Sequence, residues 1–226
     1  TKRQKTGSGR MKQEDQEGTW NRAYTETPCF FGSEASFSAQ QLLGFIEDAK
    51  TTRLLELGGG QGRDSLFLAS HGIDVTMIDC SSRAISQAAL DAGTRGLQDR
   101  VHLLQDDLAR GIPCPDGFFD ACFSHMFFCM PFSRTQLEEL FSEVRRVLKP
   151  KGLHVFSVRN TSDAHYRQGI SLGEGIYRHG RFPVLFFDRE MISGLSDGFT
   201  VESVLEFQEG ELPRTLFLVV ARKRDL

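Results

Sequence analysis

The chain has 226 residues, of which 39% are hydrophobic and 25% charged, and its formal net charge is −3. These values fit one α/β domain of ordinary size, with a core that needs no disulfide or metal staple, and they exclude global disorder. The slight acidity gives no bulk attraction to nucleic acid, and no apolar run approaches the roughly 20 residues that a bilayer span requires.

Residues 1–18 are polar apart from Met11, a candidate native start, and are expected to form a flexible tail. Residues 19–226 are expected to form a single domain. A helix is predicted over 33–50, with Leu42, Leu43 and Ile46 on one side. Strand and helix then alternate. Strands are predicted at 53–57, 74–78, 101–105, 119–124 and 153–158, and helices at 64–70, 82–91 and 133–148. The last helix carries Leu137, Leu140, Phe141 and Val144 at helical spacing, with Lys149-Pro150 to end it. Residues 159–182 are read as a loop. Asp188 is an N-cap candidate ahead of Met191, Ile192 and Leu195. Strands at 201–207 and 215–222, turning near Glu209-Gly210, suggest a hairpin. The expected fold is therefore α/β: a Rossmann-like, doubly wound seven-stranded sheet, mostly parallel, with a C-terminal antiparallel hairpin.

The five cysteines (Cys29, Cys80, Cys114, Cys122, Cys129) are odd in number and form no C-x-x-C pair. No metal site is expected, and a reducing, cytoplasmic setting fits better than a secreted one. The informative stretch is Glu56-Leu57-Gly58-Gly59-Gly60-Gln61-Gly62, where the first strand hands over to a helix. Glycine there permits positive φ and close approach of a ligand to the main chain, and free amides at a helix start suit polar or anionic groups. Asp79, about 20 residues on at the end of the second strand, stands where a carboxylate can accept both hydroxyls of a ribose. The dinucleotide fingerprint fails in both registers, because its third glycine falls on Arg63 or Ser65, and a phosphate-loop G-K-[ST] is absent. The spacing present is acidic-x-G-x-G-x-G.

The run from Leu54 to Ser65 resembles the first motif of class I S-adenosylmethionine-dependent methyltransferases. Its continuation to Ser81 is similar to the branch that contains tellurite-resistance and thiopurine methyltransferases. The resemblance implies that Glu56 and the glycine turn face the methionine end of S-adenosylmethionine. It implies that Asp79 binds the ribose with Cys80 and Ser81 beside it, and that Asp107 and the Leu108 amide meet the adenine. Ser124, His125 and Met126 would line the sulfonium end, and S-adenosylhomocysteine would be the product.

Methyl transfer needs a general base only when the acceptor must lose a proton early. His125 is the candidate base, with packing against the cofactor as its equal alternative. The resemblance places the acceptor between the N-terminal segment and the insert after the fifth strand. Those residues are Trp20, Tyr24, Phe30 and Phe31, then His165, Tyr166, Tyr177, Arg178 and His179, with Arg159, Arg167 and Arg181 around them. The second group suits a small anionic or aromatic acceptor, or is a solvated rim. The N/D-P-P-aromatic motif of base and glutamine methylation is missing after the fourth strand. A small-molecule acceptor is the expectation, with no nucleic-acid or membrane partner. A protein acceptor and a catalytically silent cofactor-binding subunit are the alternatives.

Overall fold

The strand–helix alternation folds around one seven-stranded sheet, seen in a computed structural model that describes residues 13–210 and 214–225. Five strands run parallel: β1 (Arg53–Leu57), β2 (Asp74–Asp79), β3 (Val101–Gln105), β4 (Phe119–His125) and β5 (Leu148–Arg159). A separate antiparallel sheet follows, built from β6 (Ile170–Gly173), β7 (Ile176–His179) and β8 (Phe182–Leu185). The chain then returns as β9 (Phe199–Glu209) and β10 (Arg214–Lys223), and β10 inserts antiparallel between β5 and β9. The order is β3-β2-β1-β4-β5-β10-β9, the Rossmann-like arrangement expected.

Alternate side chains of each strand enter two cores, as a sheet covered on both faces requires. Leu55 and Leu57 join one with Phe217 and Val219, while Leu54 joins the other with Leu218 and Val220. The helices that cover these faces start where a side chain can take up free amides. Ser81 caps α4 (Ser82–Thr94), Asp188 caps α6 (Arg189–Leu195), and Ser133 and Gln136 close a capping box on α5 (Arg134–Val147). α1 (Gln13–Glu26) and α3 (Arg63–Ser70) flank the glycine turn.

Three expectations need correction. The helix read over 33–50 is only α2 (Phe37–Leu42) and a 3-10 turn, Leu43–Phe45. Gly44 weakens the run, and Asp48 draws the backbone into a turn by accepting from Lys50 N–H and Thr52 Oγ1. The loop read over 159–182 contains β6 and β7. Their strands are four residues long, too short to display a period of two, and Gly173 and Gly175 take left-handed turns between them. α1 begins at Gln13, inside the stretch read as a tail, while residues 1–12 lie outside the described residues.

Candidate functional site

β1 ends in a turn that needs glycine. Gly58, Gly60 and Gly62 have φ of 67°, 56° and 84°, a region costly to residues with a Cβ. Gly58 N–H donates to the Ile78 carbonyl at 2.8 Å, and Gly60 N–H donates to Asp79 Oδ2 at 2.8 Å. Asp79 Oδ1 accepts Ser81 N–H, also at 2.8 Å. The carboxylate at the end of β2 thus clamps the turn to the start of α4. Burial raises its pKa in spite of those two bonds.

The turn floors a cavity that holds about 950 Å³ of space, its open mouth included. One wall is acidic: Glu56, Asp79, Asp106 and Asp107, with Cys80 and Leu108. Glu56 is pushed up to about 8, first by burial and then by the neighbouring Asp64 carboxylate, and its Oε2 accepts the Ser65 hydroxyl. Asp107 Oδ1 accepts Ala109 N–H at 3.0 Å, but Oδ2 is buried with no hydrogen-bond partner. Arg110 Nε stands 3.9 Å from it, outside hydrogen-bond reach. An unsatisfied buried oxygen costs about 1–3 kcal/mol, so it points to a donor that arrives with a ligand.

The opposite wall is aromatic. Trp20 and Tyr24 of α1 stack at 5.5 Å, and Trp20 stacks on Phe182 of β8 at 4.9 Å. Phe31, Phe127 and Phe132 complete the wall. Two of these rings reach the turn. A Cβ on Gly58 would meet Phe127 at 2.6 Å, and one on Gly60 would meet the Tyr24 hydroxyl at 2.8 Å. α1 is held over the mouth by side chains. Asn21 Oδ1 accepts the Ser81 hydroxyl at 2.7 Å, Gln61 Oε1 accepts Phe30 N–H at 3.0 Å, and Arg181 pairs with Glu26 at 2.8 Å.

His125 lines the cavity at the end of β4, with both ring nitrogens engaged inside the protein. Nδ1 lies 2.8 Å from Ser157 Oγ, and Nε2 lies 2.9 Å from Glu209 Oε2 in a bent contact that misses hydrogen-bond alignment. Glu209 Oε1 accepts Phe37 N–H at 3.0 Å. Burial opposes the charge on Glu209, but His125, the Phe37 amide and the Arg63 charge together outweigh it and hold the carboxyl down to about 2. Nδ1 is thus taken up by Ser157, while Nε2 faces the Glu209 carboxylate.

Of the residues singled out in the sequence, Glu56, Gly58, Gly59, Gly60, Gln61, Asp79, Cys80, Asp107, Leu108, His125 and Met126 share this cavity, as do Trp20, Tyr24 and Phe31. Gly62 does not line it; it caps α3 and would press a Cβ onto Ala88 at 2.8 Å. Ser81 is spent capping α4, and Ser124 is fully buried in the sheet. Phe30 stands behind Phe31, edge-on at 4.8 Å. The insert residues also stay outside. Tyr166 packs on Tyr177 and Phe186, both at 5.6 Å, and His165 Nδ1 contacts Arg159 at 3.0 Å. Arg178 is exposed on β7, and the His179 side chain lies outside the described residues. These aromatic and basic side chains satisfy one another under the small sheet.

Sequence reasoning missed Arg63, Phe132 and Glu209. Arg63 follows the glycine turn directly and could have been found there. Glu209 carried no signal, because nothing local ties it to His125.

Residues 54–152 match the family described as a methyltransferase domain. A sterol 24-C-methyltransferase, ERG6B, of Gibberella zeae is 28% identical over 55% of this chain and 34% of its own length. A glycine/sarcosine/dimethylglycine N-methyltransferase of Actinopolyspora halophila is 31% identical over 56% of this chain and 22% of its own. The chain thus spans about a third or less of these two curated relatives. A solved S-adenosylmethionine-dependent methyltransferase of Methanosarcina mazei shares the fold, with a TM-score of 0.71 at 22% identity, over 81% of this chain and 97% of that one. The glycine turn and Asp79 lie inside the matched residues. α1, Glu209 and the small sheet lie outside the matched residues.

Proposed function

We propose that this chain binds S-adenosylmethionine in the cavity and transfers its methyl group to a small molecule by in-line displacement. The observation that carries the reading is the unpartnered, buried Oδ2 of Asp107, set in one cavity with the bare glycine turn and Asp79. In this reading Asp107 accepts from the adenine amino group, the Leu108 amide meets the ring, and Asp79 takes the ribose hydroxyls on lone pairs left free by Gly60 and Ser81. Glu56 takes the amino end. When bound, the cofactor supplies an activated methyl on a sulfonium sulfur; the chain's own work is to orient the partners and exclude water.

The bonding of His125 favours transfer without a general base, to an acceptor that arrives already nucleophilic. Support for a small acceptor comes from the closed aromatic wall of α1, Phe31 and Phe182, and from the substrates that the two relatives are named for. The run from Leu66 to Ser81 supports placement near the tellurite-resistance and thiopurine branch. We take residues 19–226 as one working unit, because α1 lines the cavity and Glu209 touches His125, which lines it too. The free state of all five cysteines supports a cytoplasmic setting, and among the described residues no helix is long and apolar enough to cross a membrane.

Calorimetry with S-adenosylmethionine and S-adenosylhomocysteine tests the reading, followed by a screen of thiol, amine, carboxylate and protein acceptors for S-adenosylhomocysteine release. Asp79→Ala should weaken cofactor binding by about 1–3 kcal/mol. Wild-type protein that binds neither compound refutes the proposal, and cofactor binding with release only on protein acceptors refutes its small-molecule part.

A further inference from the structure

α1 carries Gln16, Trp20 and Tyr24 at intervals of four, so one stripe of the helix lines the cavity. Burial holds the helix only in part. Among its described residues Ala23 and Tyr24 are the buried apolar side chains, and a polar helix of 14 residues is marginal without tertiary ties. Asn21 supplies one tie, on the α4 side: its Oδ1 accepts the Ser81 hydroxyl at 2.7 Å and Arg83 N–H at 3.1 Å.

A second tie comes from the small sheet. The Trp20 ring stacks on Tyr24 of its own helix at 5.5 Å and 24°, and on Phe182 at the start of β8 at 4.9 Å and 21°. Phe30, which follows α1, meets the same Phe182 edge-on at 5.9 Å. Beside the stack, Arg181 Nη2 donates to Glu26 Oε2 at 2.8 Å, across 155 residues of sequence. That ion pair is half exposed on both sides and adds little, so the tie rests on Phe182. Phe182 is not among the residues that line the cavity, and it reaches a ligand there only through Trp20.

We propose that Phe182 is a positioning residue for the cofactor site: from the small sheet it clamps Trp20, and with it α1, over the cavity, and so sets how long the cofactor stays. This rests on the function proposed above and adds to it a role for the small sheet. The sheet and α1 both lie outside residues 54–152, so cofactor retention is governed by chain that the family match does not cover. Stacked rings suit the task. They bury apolar area without a directional bond, so the Trp20–Phe182 contact can part and re-form with no buried donor or acceptor stranded.

Trp20 is the one tryptophan of the chain, so its emission alone reports the clamp. S-adenosylhomocysteine is titrated by calorimetry, and its release is timed by fluorescence. F182A should shift the emission of the ligand-free protein to the red, because water reaches the indole, and should speed release about tenfold or more. F182Y, which keeps the ring, should behave as wild type in both. Trp20→Leu separates a clamp from a folding defect. With Trp20 gone, F182A should cost no further affinity, whereas a damaged sheet would cost as much in either background. Emission and release unchanged in F182A, no rescue by F182Y, or additive losses in the double variant overturns the clamp. Wild type that binds no S-adenosylhomocysteine instead sinks the underlying reading, and the role in cofactor retention falls with it.

Discussion

The two ends of the cavity are built in opposite ways. At the cofactor end, Glu56, the glycine turn, Asp79 and Asp107 all follow the C-terminal ends of successive parallel strands, where short crossovers return the chain to one edge of the sheet. At the other end, Arg63 of α3 and His125 of β4 line the cavity, and Glu209 of β9 touches His125. One end is a local motif repeated by topology. The other depends on β10 inserting between β5 and β9, with Glu209 of β9 reaching His125.

The contrast is sharpest at Gly58, where Ala should cost about 1–3 kcal/mol of stability and weaken cofactor binding more than tenfold. The residue would sit at φ +67° with its Cβ 2.6 Å from the Phe127 ring. Thermal melts and calorimetry check this; an unchanged Tm would mean that the turn is slack and the cofactor end no more rigid than the other.

Glu56 should make the cofactor end a proton-releasing site. At pH 7 a carboxyl raised to about 8 is mostly protonated, and an arriving ammonium and sulfonium favour its charged form. S-adenosylmethionine should then displace about one proton, read from binding enthalpies in two buffers of different ionisation heat, and Glu56→Gln should displace none. Equal release by both proteins would place the proton elsewhere.

The smallest effect belongs to the other end. Glu209 is lowered from 4.5 to about 2 in the folded protein, so its contribution to stability is complete above pH 4.5 and fades as pH falls through about 2. Glu209→Gln should flatten the loss of Tm in that window and leave S-adenosylmethionine affinity at pH 7 unchanged. A cofactor affinity that falls with this variant would join the two ends and break the comparison.

Much of this was legible from local chemistry. The parallel strands showed as apolar runs because both faces are buried, and α5 announced itself through Leu137, Leu140, Phe141 and Val144. Asp79 and Asp107 were legible because strand ends in this topology converge on one edge. The contacts of the insert were not legible, because Tyr166 packs on Tyr177 and Arg159 pairs with Asp163 only once the chain has folded.

The sequence by itself determined the sheet, the glycine turn and its acidic partners, since hydrophobic period and positive φ are properties of neighbouring residues. Only the tertiary structure decided what His125 faces. That depends on Glu209, whose distance from the cavity along the chain is closed by antiparallel pairing of β9 with β10 and of β10 with β5, contacts that no local pattern encodes.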